Sequence, residues 1–202
     1  MVERASALEG HNAPRQFGLI GSSGPGIFLS ERHIASAWLI AAWPQRLAVT
    51  GAAAAIAAGV SAAPGPGRSA TGPGGTLLRI EPLKWLLISE QEITDPPLDA
   101  ADGTVLELSH ARTVIHVTGP KVLELMARMV PLDLRLASFP EGSVTNTALH
   151  HLGVTILARD GGFDILVLRS FGLAIWQTLI DSAAQFGADR TTGAGYQDNL
   201  VF

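Results

Sequence analysis

The chain has 202 residues, enough to bury a sizeable core as one large or two small domains. Fourteen Lys and Arg stand against 18 Asp and Glu, a net charge of −4, and no basic run is present to neutralise phosphates, which argues against nucleic acid or an anionic membrane as partner. The absence of Cys excludes disulfides, zinc-thiolate sites, Fe–S ligation and a Cys nucleophile together, and it fits a reducing cytoplasm.

Apolar residues make up 47% of the chain and charged residues 16%, with a mean hydropathy of +0.28. Such a composition suits either a well-buried single domain or a subunit whose apolar surface is covered by partners, and the second reading is preferred.

Residues 1–26 are polar, punctuated by Gly and Pro, and end in GSSGPG, the composition of an irregular arm free to lie across a partner. The first 16 residues lack the apolar core of a secretory signal. A strand is expected over 33–43, closed by Pro44, and a helix over 45–58, with Gly59 near its end. Arg46 is the only charge between Ile34 and Val60, but Pro44-Gln45-Arg46 divides that stretch. A span needs roughly 20 consecutive apolar residues, so no transmembrane helix is expected.

Residues 61–75, SAAPGPGRSATGPGG, read as a Gly/Pro-rich loop. It separates a strand–helix portion, 27–60, from the better-patterned 76–188, and the two portions form one compact unit. Strands are expected over 76–80 and 83–89, around Glu81-Pro82. After an acidic stretch comes the clearest β–α unit: a β-branched strand over 112–118, the break Gly119-Pro120, then a helix. Val122, Leu125, Met126 and Met129 form its apolar stripe, Pro120 suits a first helical position, and Pro131 stops it.

Strands over 154–158 and 163–168 are joined by Arg159-Asp160-Gly161-Gly162, a hairpin signal because the turn needs positive φ. Ser170 suits an N-cap, Leu173, Trp176, Leu179, Ile180 and Ala183 form a helical stripe, and Gly187 suits the position just past a helix end. Residues 189–202 form a polar tail with an apolar tip, Leu200-Val201-Phe202. The whole reads as α+β, antiparallel strands and hairpins with helices packed on one face.

No cluster of residues forces a reaction. GPGRSA, residues 65–70, matches a loose dinucleotide pattern but lacks the strand–turn–helix context that brings helix-end N–H groups to a pyrophosphate. His150 and His151 would point to opposite strand faces, and His110 and His116 have no carboxylate at recognisable metal-site spacing. Ser109-His110 diverge on a strand with no acid identifiable to orient the imidazole, so a local turn or cap is expected. Trp85 reads first as a core aromatic. Arg169, at a strand–helix junction, is free to pair with a carboxylate, touch a partner or be solvated. No catalytic, cofactor-binding or metal-binding residue is assigned from these patterns. Trp85, Arg169, Phe171 and Phe202 are the candidate partner contacts.

LELSHARTVIHVTGPKVLELM, residues 106–126, resembles the aminomethyltransferase family of the glycine-cleavage system, in which D-x-S-H leads through a strand to V-x-G-P-x-A and a helix. Glu107 stands at the acid of that element and Val122 where Ala is usual. A narrower likeness is to sarcosine oxidase gamma subunits. E-P-L-K-W-L-L, residues 81–87, is similar to their G-P-x-x-W-L-L, with Glu81 in place of Gly. Pro131-Leu132-Asp133-Leu134, Phe139-Pro140-x-Gly142 and Arg169-Ser170-Phe171 follow in the same order, and the likeness runs from about residue 76 to 187.

The resemblance implies the aminomethyltransferase folate-binding fold and a non-catalytic subunit of a heterotetrameric flavoenzyme that oxidatively demethylates sarcosine or a similar N-methyl amine. It implies alpha, beta and delta subunits as partners. FAD and covalent FMN would lie in beta, NAD and tetrahydrofolate in alpha, zinc in delta, and no cofactor in this chain. Catalytic aminomethyltransferases carry an acid where this chain has Gly153-Val154-Thr155. Without that carboxylate there is no general base and no electrostatic partner for a developing iminium. The alternative is a folate-binding or folate-dependent one-carbon transferase of the same family, with Trp85 stacking on the pterin.

Overall fold

The computed structural model describes residues 5–190. In chain order the first half holds β1 (Arg15–Phe17), β2 (Ile27–Arg32), β3 (Ser36–Ala42), α1 (Leu47–Ala58), β4 (Ser69–Gly72), β5 (Gly75–Glu81) and β6 (Lys84–Ser89). Next come β7 (Gly103–Glu107), β8 (Arg112–Thr118), α2 (Val122–Met129) and β9 (Val144–Leu149). The chain continues with β10 (Leu152–Arg159), β11 (Gly162–Leu168), α3 (Gly172–Ala183) and β12 (Ala188–Arg190). They form a seven-stranded sheet, β1-β12-β2-β8-β11-β10-β9, and a five-stranded sheet, β4-β5-β6-β3-β7. Pairing is antiparallel throughout except for β12 beside β2.

Side-chain alternation sets the layering. In β8 and β11, Ile115, Val117, Phe163, Ile165 and Val167 point to one side, where Leu125, Met126, Trp176 and Leu179 of α2 and α3 cover them. The intervening Val114 and Leu166 point the other way and meet Ala37, Leu78, Leu86 and Ile88 of the five-stranded sheet. The outer face of that sheet carries Trp38, Ile40, Leu77, Trp85 and Leu87 beneath Ala54 and Ala58 of α1. The result is α+β in four layers: α2 with α3, the larger sheet, the smaller sheet, then α1. Each sheet carries helices on one face, α2 and α3 on the larger sheet and α1 on the smaller. Strands buried on both sides look alike in sequence whether helix or sheet covers the second side.

The portions 27–60 and 76–188 are interleaved. β2 lies between β12 and β8, and β3 between β6 and β7. One crossing between the sheets is tied by Ser109, whose Oγ accepts the Ala37 N–H at 3.0 Å, while His110 faces solvent. The Gly/Pro-rich 61–75 is not only loop, because β4 pairs with β5 inside it. Residues 5–26, expected as an irregular arm, pack on their own chain. Leu8 is fully buried, β1 pairs with β12, and the His11 carbonyl accepts from Trp176 Nε1 at 3.1 Å and from Arg190 at 2.8 Å.

The Asp160-Gly161 hairpin forms as expected, with φ of 52° and 69° and Arg159 paired to Gly162, the pattern of a type I′ turn. The α2 stripe is buried as its spacing requires, but the helix begins at Val122 rather than Pro120. Gly119 has φ 117°, and a Cβ there would stand 2.5 Å from the Gly26 carbonyl oxygen, so Gly119-Pro120 is consumed by a close crossing. Ser170 lies in a 3-10 turn before α3 and caps nothing, the N-cap position falling at Phe171. Gly187, with φ 64°, ends the 3-10 turn that extends α3. Of the tail 189–202, Asp189 and Arg190 belong to β12, and the apolar tip with Phe202 lies outside the described residues. Among the described residues no helix is long and apolar enough to cross a membrane.

Candidate functional site

Asp164, the third residue of the otherwise apolar β11, is the centre of the most unusual chemistry in the structure. Register pairs it with His116 on β8, and both side chains lie on the face turned toward the smaller sheet. Asp164 is 0% exposed. Its Oδ1 lies 2.6 Å from His116 Nδ1, a charge-assisted contact that orients the imidazole. Its Oδ2 is buried and makes no hydrogen bond, although Arg32 and Arg159 approach it at 3.8 and 3.7 Å.

The two guanidiniums are committed elsewhere. Arg32 donates to Asp160 at 2.8 Å and to Glu90 at 3.2 Å, and Arg159 Nε donates to Asp160 at 3.0 Å. Burial pulls the Arg32 guanidinium down, but Asp164, Asp160 and Glu90 together hold it above its ordinary value. Burial pushes the Asp160 carboxyl up, and hydrogen bonding and charge from Arg32 and Arg159 more than offset it, leaving Asp160 below the usual carboxylate range. Arg32, Glu90, Arg159 and Asp164 edge a polar cleft of about 350 Å³ between the two sheets, walled also by the β4–β5 hairpin, with Asp160 behind the two guanidiniums and outside the lining.

A carboxyl depressed in the folded state stabilises it above the unfolded value, about 4, and loses that contribution as pH falls through the folded value. The Asp160 side chain is 51% exposed, so the contribution is small, below about 1 kcal/mol. The native chain is therefore expected to have a slightly higher urea midpoint than Asp160→Asn at pH 7. The gap should close as pH drops below about 4, a trend read from paired denaturation curves.

None of Asp164, Arg32 and Arg159 was marked by sequence spacing. His116 has its carboxylate partner 48 residues away, reached only through strand pairing. The one legible signal is an Asp among apolar residues in a strand buried on both faces. His150 and His151, by contrast, sit at the β9–β10 turn with rings 6.4 Å apart. Among the described residues no three His, Asp or Glu side chains converge as a metal ion requires.

The other singled-out residues are scattered. Trp85 is 1% exposed beneath α1, with the Arg79 guanidinium 4.9 Å from its ring centroid. A Cβ on Gly51 of α1 would stand 3.5 Å from the ring. Trp85 is thus almost wholly buried in the core, and it also borders a cleft of about 470 Å³ beside α1 that Gly51 and Arg79 line with it. Arg169 is half-buried and donates to the Ala5 carbonyl at 2.5 Å, fastening the N-terminal segment. Phe171 is 41% exposed and open to a partner. Gly153 is the second residue of β10, exposed, with nothing within 4 Å of a Cβ. Space for a side chain exists there and no carboxylate fills it. Leu123 and Leu136, both exposed, border an apolar groove of about 220 Å³ floored by Leu134, Phe139 and Phe163.

The layered sheets, with their crossings and flanking helices, define a class: the fold of folate-binding aminomethyltransferases. The glycine cleavage system aminomethyltransferase T from Bartonella henselae superposes with a TM-score of 0.52 at 14% identity, covering 88% of this chain and 58% of that one. This chain therefore spans a little over half of that relative. A chain of the heterotetrameric sarcosine oxidase from Corynebacterium sp. U-96, solved in complex with pyrrole 2-carboxylate, superposes with a TM-score of 0.70 at 24% identity. That match covers 90% of this chain and 91% of the other. The shared fold is the one the motifs between residues 76 and 187 imply. No family model and no curated protein matches the chain.

Proposed function

We propose that this chain is a non-catalytic, gamma-type subunit of a heterotetrameric flavin-dependent oxidase that demethylates sarcosine or a related N-methyl amine, and that it serves assembly and stability of the complex. The observation that carries this reading is the near-mutual coverage with a sarcosine oxidase chain, 90% and 91%, which makes the two chains almost equal in length. The stretch Gly153-Val154-Thr155 supports it, since it carries no carboxylate to serve as a base for folate chemistry. Exposed Leu136, Leu168 and Phe171 suit surfaces that partners cover. On this reading the alpha, beta and delta subunits hold FAD, FMN, NAD, tetrahydrofolate and zinc, this chain holds none, and the complex is cytoplasmic.

Expressed alone, the chain is expected to aggregate, and co-expression with a dinucleotide-binding subunit and a flavoprotein should yield a stable co-purifying complex on size exclusion. A monodisperse monomer with no affinity for those subunits would sink the reading. The alternative, a folate-dependent one-carbon transferase, rests on the likeness to aminomethyltransferase T. Turnover of tetrahydrofolate by the chain without other subunits would establish it instead.

A further inference from the structure

We propose that the cleft over Asp164 binds a single primary or secondary ammonium group. The proposal rests on this chain's own geometry and holds whether or not the chain works within a complex.

A buried carboxylate oxygen without a donor is costly, because such groups are nearly always paired. Asp164 Oδ2 is in that position: it is buried, it borders the cleft, and its nearest cationic nitrogens stand at 3.7 and 3.8 Å, beyond hydrogen-bond reach. Moving either guanidinium from Oδ2 breaks no hydrogen bond to that atom. Arg159 lines the cleft with its side chain 23% exposed, so a ligand that reaches Oδ2 must displace its guanidinium, which also bonds Asp160 at 3.0 Å.

Charge decides which ligand fits. Arg32 and Arg159 bring two guanidiniums, and Asp160, Asp164 and Glu90 three carboxyl groups, so the acidic side chains outnumber the guanidiniums by one. A monocation balances that excess. An anion would confront the bare Oδ2 while competing with carboxylates that already hold the guanidiniums. The ligand also needs a compact N–H donor to enter between two arginines and reach Oδ2, which an ammonium supplies and a quaternary amine does not. Thr71, Thr76 and Ser89 line the same cleft with hydroxyl oxygens able to accept the remaining N–H groups. A volume of about 350 Å³ admits an amine bearing a few carbons.

The test is calorimetric titration of the full chain, alone or in whatever complex it purifies with, using ethylammonium chloride at constant ionic strength. Tetramethylammonium chloride and sodium acetate serve as controls. Saturable one-site binding of ethylammonium, absent for both controls, is expected. Asp164→Asn should abolish it. That variant risks misfolding, so two rim substitutions provide independent readings. Glu90→Gln, at a side chain 68% exposed, should weaken binding roughly three- to tenfold, and Arg159→Gln should tighten it by a similar factor. Absence of saturable heat, equal binding of tetramethylammonium, preference for acetate, or rim variants that leave affinity unchanged would each overturn the proposal.

Discussion

Trp176→Ala should lower the unfolding free energy by about 3–5 kcal/mol, the largest single effect expected in this chain. The indole is fully buried between α3 and the larger sheet, and its Nε1 donates to the His11 carbonyl at 3.1 Å. It therefore fills the core and pins the N-terminal segment, whose Leu8 is buried in the same cluster. Trp176→Phe keeps most of the filling and drops one donor, so it should cost less; the His11 carbonyl keeps its bond from Arg190 at 2.8 Å, and the lost hydrogen bond itself should cost about 0.5–1.5 kcal/mol. Urea denaturation gives both values, and amide exchange should quicken selectively around residues 8–17 in the Phe variant. A loss below about 1 kcal/mol for the Ala variant would contradict this placement of the ring.

Asp164→Ala is the second substitution with a large expected cost, about 3–5 kcal/mol, because it leaves His116, Arg32 and Arg159 without the carboxylate they surround. Partial exposure of both arginines lets them turn toward water, so the lower end of that range is expected. Replacing Asp164 and His116 together with apolar residues should recover part of the loss, since exchanging a buried polar pair for packed hydrocarbon is often near neutral. A double-mutant cycle measures the coupling. Additive single effects would mean that the 2.6 Å contact contributes nothing of its own.

Features governed by neighbouring residues were legible in the sequence. Asp160-Gly161 forms its hairpin because the positive φ values are a local demand. Val122, Leu125, Met126 and Met129 are buried together because helical spacing alone puts them on one side. The number of sheets was not legible. In β6, five of six residues are buried, and such a run does not reveal whether a helix or a sheet covers its second face. His11 was read as part of an irregular arm because its partners Trp176 and Arg190 lie more than 160 residues away, and Leu8 because one apolar residue in a polar stretch carries no period. Asp164 escaped for a related reason. An ionisable group inside an apolar strand has meaning only once β8 and β10 are laid beside it, bringing His116 and Arg159 near, and the residues that motif reading singled out, such as Trp85, lie away from the charged cleft.

The seating of β12 bears on how the polypeptide is made. Residues 188–190 fill the slot between β1 and β2, pairing Arg190 with both Arg15 and Leu29. Translation therefore delivers the closing piece of the larger sheet after every other strand described here. Until it clears the ribosome, the nascent chain holds β2 with an open edge and Ile27 and Leu29 without their final neighbour, an invitation to unwanted pairing. Chaperone engagement during synthesis, or an early-arriving companion polypeptide, has its clearest physical reason at that slot.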